Sequence, residues 1–382
     1  MKFAHLADCH IGGWREPELK ELSIESFEKA IDICIKEHVG FVLISGDLFD
    51  TSLPSIDIIK ETAAILNKLR EYDISCYIIP GSHDFSPSGK TMLDVLEHSG
   101  LLENVMKFRD NKLVFTEDKT GVKITGIYGK KGALEVETYK NLEKDHLEKE
   151  KGFKIFMFHS LLKELKPKNF PIEGHALNLL PKNFNYYAGG HPHFTAAKEY
   201  PGYGIISYPG PIFPNNFKEL EELKQGSFCI VESNNEINIK NIPLEIKKVH
   251  SYNINANNKT TSEIQKEIND IEKKDGIILL RIEGILKEGK PTEIKFKDIP
   301  SYSFLKNTSK LFSKETEEIK ISETANIEED FVKEFNKEKI FDDKVILDLM
   351  NVLDKEKEEG ERIVDFEERV IKDIKKLLEI EI

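Results

Sequence analysis

Residues 41–50 read FVLISGDLFD, and the fold class turns on this run. Phe41–Ile44 are four apolar residues in a row, as in a buried strand, and Gly46 lets the backbone turn tightly so that Asp47 stands just past the strand end. The same arrangement recurs through the first half of the chain. FAHLA (3–7) runs into Asp8 and His10, and the strand Ile74–Ile79 runs into Ser82, His83 and Asp84 of PGSHD. KIFMFHS (154–160) carries His159, and Tyr186–Gly190 leads to His191 and His193 of AGGHPH. Helical spacing falls between these runs. A helix is expected over about 20–37, a second over Ser55–Glu71 with Ile58, Ile59, Ala63, Leu66 and Leu69 on one face, and a third over Met92–His98, closed by Gly100. Strands are further expected at Lys112–Thr116 and Lys123–Tyr128. The alternation predicts an α/β architecture whose site sits at the C-terminal ends of its strands.

The residues at those ends form a chemical set. In Asp8-x-His10 the intervening residue turns away if strand geometry continues, so the two side chains converge on one cation. Asp47 has two carboxylate oxygens and can bridge two metals, while His159, His191 and His193 supply neutral nitrogens. This offers about three or four ligands for each of two ions ~4 Å apart, with positions left for water and substrate. The mix of nitrogen and oxygen donors favours Mn, Fe, Zn or Co over Mg or Ca. His83 is read as catalytic machinery instead of a ligand. Asp84, which follows it, is expected to hold its imidazole in one tautomer so that it can donate a proton or steady transition-state charge. Taken singly, His10 or His159 would read as a structural histidine and Asp47 as a turn residue; five such motifs, each at a strand end, make the metal reading the specific one. His5 is expected to pack, and His38, His98, His146, His175 and His250 have no metal-like context.

A net charge of −13 argues against a generally basic nucleic-acid coat, though not against a local basic channel. Cys34, Cys76 and Cys229 are scattered and read as reduced core residues of a cytoplasmic protein; Cys9, between two proposed ligands, is not expected to bind metal. The chain begins directly with a strand, so no signal peptide is expected, and no apolar run approaches the ~20 residues of a membrane span.

Composition shifts near Val249. Residues 1–248 are expected to form the main domain, 249–300 a small α/β module around the apolar strand Gly276–Gly284, and 301–382 a charged tail. Gly204 to about Ile242 is read as closing antiparallel strands with turns at Pro209-Gly210 and Asn234-Asn235. Residues 321–382 hold 11 basic and 20 acidic residues, and the last helix carries Ile363, Phe366, Val370, Ile374 and Leu377 as an apolar stripe. Such a helix either folds back on its own domain or docks on a partner.

DCH, GDLFD, GSHD, FHS and GHPH, in this order, resemble the calcineurin-like metallophosphoesterases, and MKFAHLADCHIGG with SGDLFD is most similar to the Mre/SbcD nucleases of DNA double-strand-break repair. YPGPIFPNNFKE and GSFCIVE look like the closing sheet of those nucleases, and IILLRIEG like the core strand of their DNA-capping module. The likeness is strong over about residues 1–235 and looser over 249–300. It implies a two-sheet metallophosphoesterase sandwich flanked by helices, a small capping domain and a C-terminal helical tail. It also implies that Asp8, His10, Asp47 and His193 hold one divalent ion, that Asp47, Ser82, His159 and His191 hold the second, and that His83 acts on the transition state. The family's activity would be manganese-dependent 3′→5′ exonuclease and endonuclease cleavage of DNA. Its partner would be an SMC-like coiled-coil ATPase gripped by the C-terminal helices. A homodimer would form through Ser55–Glu71 and Met92–His98. Ser82 departs from the asparagine usual in the family; its hydroxyl is the shorter and poorer donor, which predicts a weaker second metal. A phosphoesterase for small substrates and a weakly catalytic DNA-end-binding subunit are the competing functions.

Overall fold

The structure is a computed structural model that describes residues 1–86, 91–130, 135–168, 174–234, 236–272, 275–296, 301–314, 343–353, 355, 370–371, 373–375 and 377. The chain runs β1 (Lys2–Leu6), α1 (Pro17–Lys36), β2 (Phe41–Ser45), α2 (Ile56–Glu71), β3 (Ser75–Ile79), α3 (Met92–His98) and β4 (Glu103–Asn104). Then come β5 (Lys107–Arg109), β6 (Lys112–Val114), β7 (Thr116–Glu117), β8 (Lys123–Ile127), α4 (Glu135–Lys140), α5 (Asp145–Lys149) and β9 (Lys154–His159). After β10 (Tyr186–Gly190), β11 (Thr195–Tyr200) and β12 (Tyr203–Pro209) follow α6 (Phe217–Leu223), β13 (Gly226–Ser233) and β14 (Ile237–Leu244). The last described elements are β15 (Val249–Asn255), α7 (Thr261–Asn269), β16 (Ile277–Ile285), β17 (Ser303–Asn307), β18 (Leu311–Phe312) and α8 (Asp343–Leu353).

Two six-stranded sheets carry the first half, in the orders β14-β13-β1-β2-β3-β4 and β11-β12-β10-β9-β8-β7. Strands β1, β2 and β3 are parallel to one another, as are β8, β9, β10 and β12. Their C-terminal ends therefore share a direction within each sheet. The inner faces supply one core: Phe3, Phe41, Leu43 and Ile79 from the first sheet meet Ile124, Ile155, Met157 and Tyr186 from the second. The outer face of the first sheet packs under α1 and α2 through Phe27, Ile31, Cys34, Leu66 and Leu69. The outer face of the second packs against Tyr139 and Leu147 of α4 and α5. This is the helix-flanked two-sheet sandwich. Cys9, Cys34, Cys76 and Cys229 are all buried thiols, and His5 is buried with Nδ1 2.9 Å from the Tyr186 hydroxyl.

Most elements match expectation within a residue or two. Helix α1 starts three residues earlier than expected because Pro17, whose fixed φ suits the first helical turn, opens it. The stretch after Gly204 is only partly antiparallel: β13 pairs antiparallel with β1 and β14, but β12 lies parallel to β10, and α6 interrupts the run. Beyond residue 248, β15, β16 and β17 form a parallel sheet centred on β16, whose Ile277, Ile278, Leu279, Leu280 and Ile282 are buried. The chain groups into two compact units. One is Met1–Asn255 with Gln265–Glu283 and Lys295–Lys310; the other is Ala256–Ile264 with Gly284–Ile294 and Leu311–Ile382. The boundary expected at 248/249 thus falls inside the first unit. Of the tail stripe, Val370, Ile374 and Leu377 are helical and half-buried, whereas Ile363 and Phe366 lie outside the described residues, as does Asn235 of the expected turn. No helix among the described residues is long and apolar enough to cross a membrane.

The two sheets come into close backbone contact where β2 and β10 end. A Cβ on Gly190 would lie 2.0 Å from the Ser45 carbonyl oxygen, a backbone atom that cannot swing aside. The Ser45 hydroxyl spans the same gap, donating to the Ala188 carbonyl at 3.0 Å. Gly190→Ala should therefore destabilise the protein by about 1–3 kcal/mol. Denaturant unfolding checks this, and an unchanged midpoint would mean that the sheets can part here without strain.

Candidate metal centre

Three of the loops leaving the strand ends bend through an unusual backbone conformation. Asp8 (φ 52°), His10 (42°), Asp47 (53°), His191 (97°) and His193 (46°) all occupy the positive-φ region, beside Gly46 at 86°. This corrects the expectation that strand alternation aims Asp8 with His10 and His191 with His193. Strands β1 and β10 stop at Leu6 and Gly190, and left-handed turns beyond them do the aiming. The loops are stitched by backbone bonds, Asp8 N–H to the Gly46 carbonyl at 3.1 Å and His10 N–H to the Asp47 carbonyl at 2.9 Å. Gly46 has a second reason to be glycine: a Cβ there would stand 2.2 Å from His159 Nδ1.

The side chains converge. Asp8, His10 and His193 present ligand atoms within 4.8 Å of one another, as do Asp8, Asp47 and His159. His10 Nε2 faces His193 Nε2 at 3.0 Å and stands 3.7 Å from Asp47 Oδ2, which also lies 3.1 Å from His159 Nε2. Asp47 thus lies within reach of both groups. Asp8 accepts the His191 N–H with both oxygens, at 2.8 and 3.1 Å, and the His191 ring lies edge-on to His159 at 5.2 Å. Ser82 Oγ is buried 3.3 Å from Asp47 Oδ2, to which it donates; its lone pairs remain to face a cation.

His83 and Asp84 part company here. Asp84 is fully buried and accepts the N–H groups of Gly81, Leu48 and Phe49 at 3.0–3.1 Å. It clamps the β3 loop to the β2 loop and does not hold the His83 imidazole, so that expectation is corrected. Three backbone donors occupy the carboxylate. His83 Nδ1 instead donates to the Asp50 carbonyl at 2.7 Å, which leaves Nε2 as its free nitrogen, on a side chain 38% exposed. Its ring stands edge-on to His10 at 4.7 Å.

Sequence reasoning misses Asp50, Asn215 and Glu219. Asp50 Oδ1 accepts from His10 Nδ1 at 3.1 Å, and Glu219 Oε1 accepts from His193 Nδ1 at 3.0 Å. Ser45 O does the same for His159 Nδ1 at 2.8 Å. In all three rings the outward nitrogen is the donor, so Nε2 is the nitrogen turned inward, and in the neutral ring its lone pair would serve a cation. A signal for Glu219 is present: Asn216-x-x-Glu219 before a Leu-rich run is the start signature of a helix, and Asn216 does cap α6.

The electrostatics are those of a cation site. Burial alone would raise Asp47, but the charges of His159, His10 and His83 outweigh it and hold the carboxyl well below the usual range. Burial would lower His159, yet Asp47 beside it lifts the imidazole to about 10; burial likewise opposes, and Glu219 overrides, at His193, which reaches about 9. Burial, reinforced by the charge on His159, drops His191 to about 3. Nε2 of His159 is completely buried and makes no aligned hydrogen bond, although Asp47 lies within ion-pair distance. An orphaned buried nitrogen, two Nε2 atoms face to face and a carboxylate oxygen within 4 Å of each of these two fit divalent metal ions.

These shifts couple metal uptake to protons. His159 and His193 have folded pKa values above the ordinary 6.5, so without metal both are protonated near pH 7. Their contribution to stability is complete below pH ~6.5 and is lost as pH rises through 9 and 10. Ligation requires neutral rings, so loading the site at pH 7.5 should release about two protons. Titration calorimetry of metal into metal-free protein, in buffers of different ionisation enthalpy, measures this number; zero release would mean that these histidines do not take up the metal.

Residues 1–194 match the calcineurin-like phosphoesterase family. Three archaeal proteins, each named DNA double-strand break repair protein Mre11, are similar over longer stretches. That of Sulfurisphaera tokodaii is 30% identical over 292 residues, covering 71% of this chain and 68% of the relative. That of Methanococcus maripaludis is 28% identical over 289 residues, covering 71% and 74%. The Sulfolobus acidocaldarius protein is 27% identical over 386 residues, covering 94% of this chain and 97% of its own. With the two-sheet sandwich and the strand-end cluster already in place, these matches mean that the chain belongs to the calcineurin-like phosphoesterases and, within them, to the Mre11 family.

Proposed function

We propose that this protein is a two-metal nuclease that hydrolyses DNA phosphodiester bonds in double-strand-break repair, with manganese as its metal. The observation that carries the reading is the convergence of Asp8, His10 and His193, and of Asp8, Asp47 and His159, into two adjoining groups at the ends of strands from both sheets, with His83 alongside. Asp8, His10, Asp47 and His193 would hold one ion, and Asp47, Ser82, His159 and His191 the other. Divalent cations held there supply the charge that activates water and offsets the negative phosphate. The remaining work belongs to the chain. The Asp50 carbonyl accepts the Nδ1 hydrogen of His83 and fixes the ring, so Nε2 is the nitrogen left to pass a proton to the departing oxygen of the scissile bond. The left-handed turns pre-set the ligand geometry, so little rearrangement accompanies reaction.

The same reading covers the rest of the molecule. Residues 1–248 are the nuclease domain, and 249–300 are the DNA-capping module, whose strands β15 and β16 lie in a parallel sheet with β17 just beyond it. The acidic tail 301–382 docks on an SMC-like coiled-coil ATPase. Helices α2 and α3 are the candidate homodimer surface, supported by the exposure of Ile56 and Val95. The family resemblance supports action on DNA ends in the cytoplasm.

Purified protein with Mn2+ should cleave linear duplex or single-stranded DNA, and His83→Gln should cut the rate by about 10²–10⁴-fold while DNA is still bound. Hydrolysis of a nitrophenyl phosphodiester with no action on DNA would instead assign a small-substrate phosphoesterase, and no cleavage of either an end-binding subunit. Ser82→Asn should tighten the weaker of two metal-binding steps, because an amide oxygen replaces a hydroxyl; equal affinities before and after would remove that role for position 82.

A further inference from the structure

The two proposed ligand groups are held from behind by different kinds of atom. His159 is oriented by a backbone carbonyl, Ser45 O, which belongs to the strand end itself. His10 and His193 are oriented by two side-chain carboxylates, Asp50 and Glu219, and these are joined. Asn215 Nδ2 donates to Asp50 Oδ1 at 3.0 Å, and Asn215 N–H donates to Glu219 Oε2 at 2.8 Å. A continuous path therefore runs His83–Asp50–Asn215–Glu219–His193, with His10 attached at Asp50.

The path is anchored at both ends. Asp50 lies next to the Ile11–Phe49 bridge between the first two loops. The segment before α6 is pinned by the Trp14 indole, whose Nε1 donates to the Pro214 carbonyl at 2.9 Å. Helix α6 itself is gripped from its other side: Arg281 on β16 makes a forked bond to Glu221 at 3.0 and 3.1 Å and lies over the Phe217 ring. Leu220 packs with Ile277 and Leu279. A seven-residue helix would not hold Glu219 steady unaided; these contacts do so.

We propose that Asp50, Asn215 and Glu219 act as one positioning unit that sets the affinity of the Asp8–His10–His193 metal position independently of the position built on His159. This rests on the two-metal reading above. None of the three is itself a proposed ligand. They act through the rings of His10 and His193, by fixing which nitrogen carries the hydrogen and where the other points. Asn215 is the sharpest probe, because its hydrogen bonds reach the carboxylates and neither histidine.

The test is calorimetric titration of Mn2+ alone into metal-free, full-length protein. Wild type should take up the ion in two steps. Asp50→Asn, Glu219→Gln and Asn215→Ala should each weaken one step by about 10–100-fold and leave the other within about twofold. If the three form a unit, Asp50→Asn combined with Glu219→Gln should lose less than the product of the two single effects. Thermal unfolding of the metal-free variants identifies any that fail to fold, and Asn215→Ser then replaces Asn215→Ala. Equal weakening of both steps, or of neither, overturns the unit while leaving the metal centre standing. A wild type that takes up no Mn2+ overturns both.

Discussion

The close meeting of two strand ends from opposite sheets, with glycine required at one of them, is the constraint on which the rest of this structure depends. Strand β2 ends at Ser45 and β10 at Gly190, and the two ends nearly touch. Into that junction His159, from β9, sends its Nδ1–H to the Ser45 carbonyl. This hydrogen bond joins the two sheets, as does that of the Ser45 hydroxyl to the Ala188 carbonyl, and it also sets the tautomer of a proposed ligand and the direction of its other nitrogen. Glycines at 46 and 190 are the residues that let the backbones come so close. Any larger residue would push the sheets apart and carry Asp47 away from His159.

The same junction explains why strain gathers here. Five non-glycine residues of the centre hold positive φ, each at a cost of order 1–3 kcal/mol. Asp8, through its carboxylate and backbone, and Asp84, through three backbone donors, cross-link the loops and hold those conformations in place. Burial, aggravated by the nearby charge of Asp47, lifts Asp84 to about 6 while the three N–H groups pull it back. A buried carboxyl serving as a loop clamp is costly; beside a strained cluster it is the rigid part that the cluster needs.

The strand ends are legible in the sequence because buried parallel strands leave a pattern of apolar runs stopped by glycine and polar residues. Position along the chain places Asp8, Asp47 and His159 correctly for that reason. Asp84 misleads because adjacency in sequence is not contact: a residue following His83 in a tight turn faces the backbone behind it, and the ring finds its partner 33 residues away in Asp50. Asp50 itself is hidden inside a motif whose first aspartate already accounts for the pattern. Glu219 lies in a stretch that reads as strand, although its capping signature is visible. Contacts that close the site across 26 to 183 residues of sequence, such as Glu219 to His193 or His10 to His193, have no local signature at all.

The difference in how the ligands are held bears on Ser82. A backbone carbonyl cannot be altered by substitution, so the orientation of His159 is as fixed as the fold itself. Variation in metal affinity on that side would have to come from the proposed ligands, of which Ser82, with its short hydroxyl, is one. On the other side the orienting groups are side chains, and affinity can change there without touching a ligand. The two halves of the centre are therefore open to different kinds of change. Helix α6 extends this asymmetry outward: Glu221 on it bonds Arg281 of β16 and Glu219 holds His193, so β16 is tied through one helix to the proposed ligand group of His10 and His193, while His159 is held by the strand end alone.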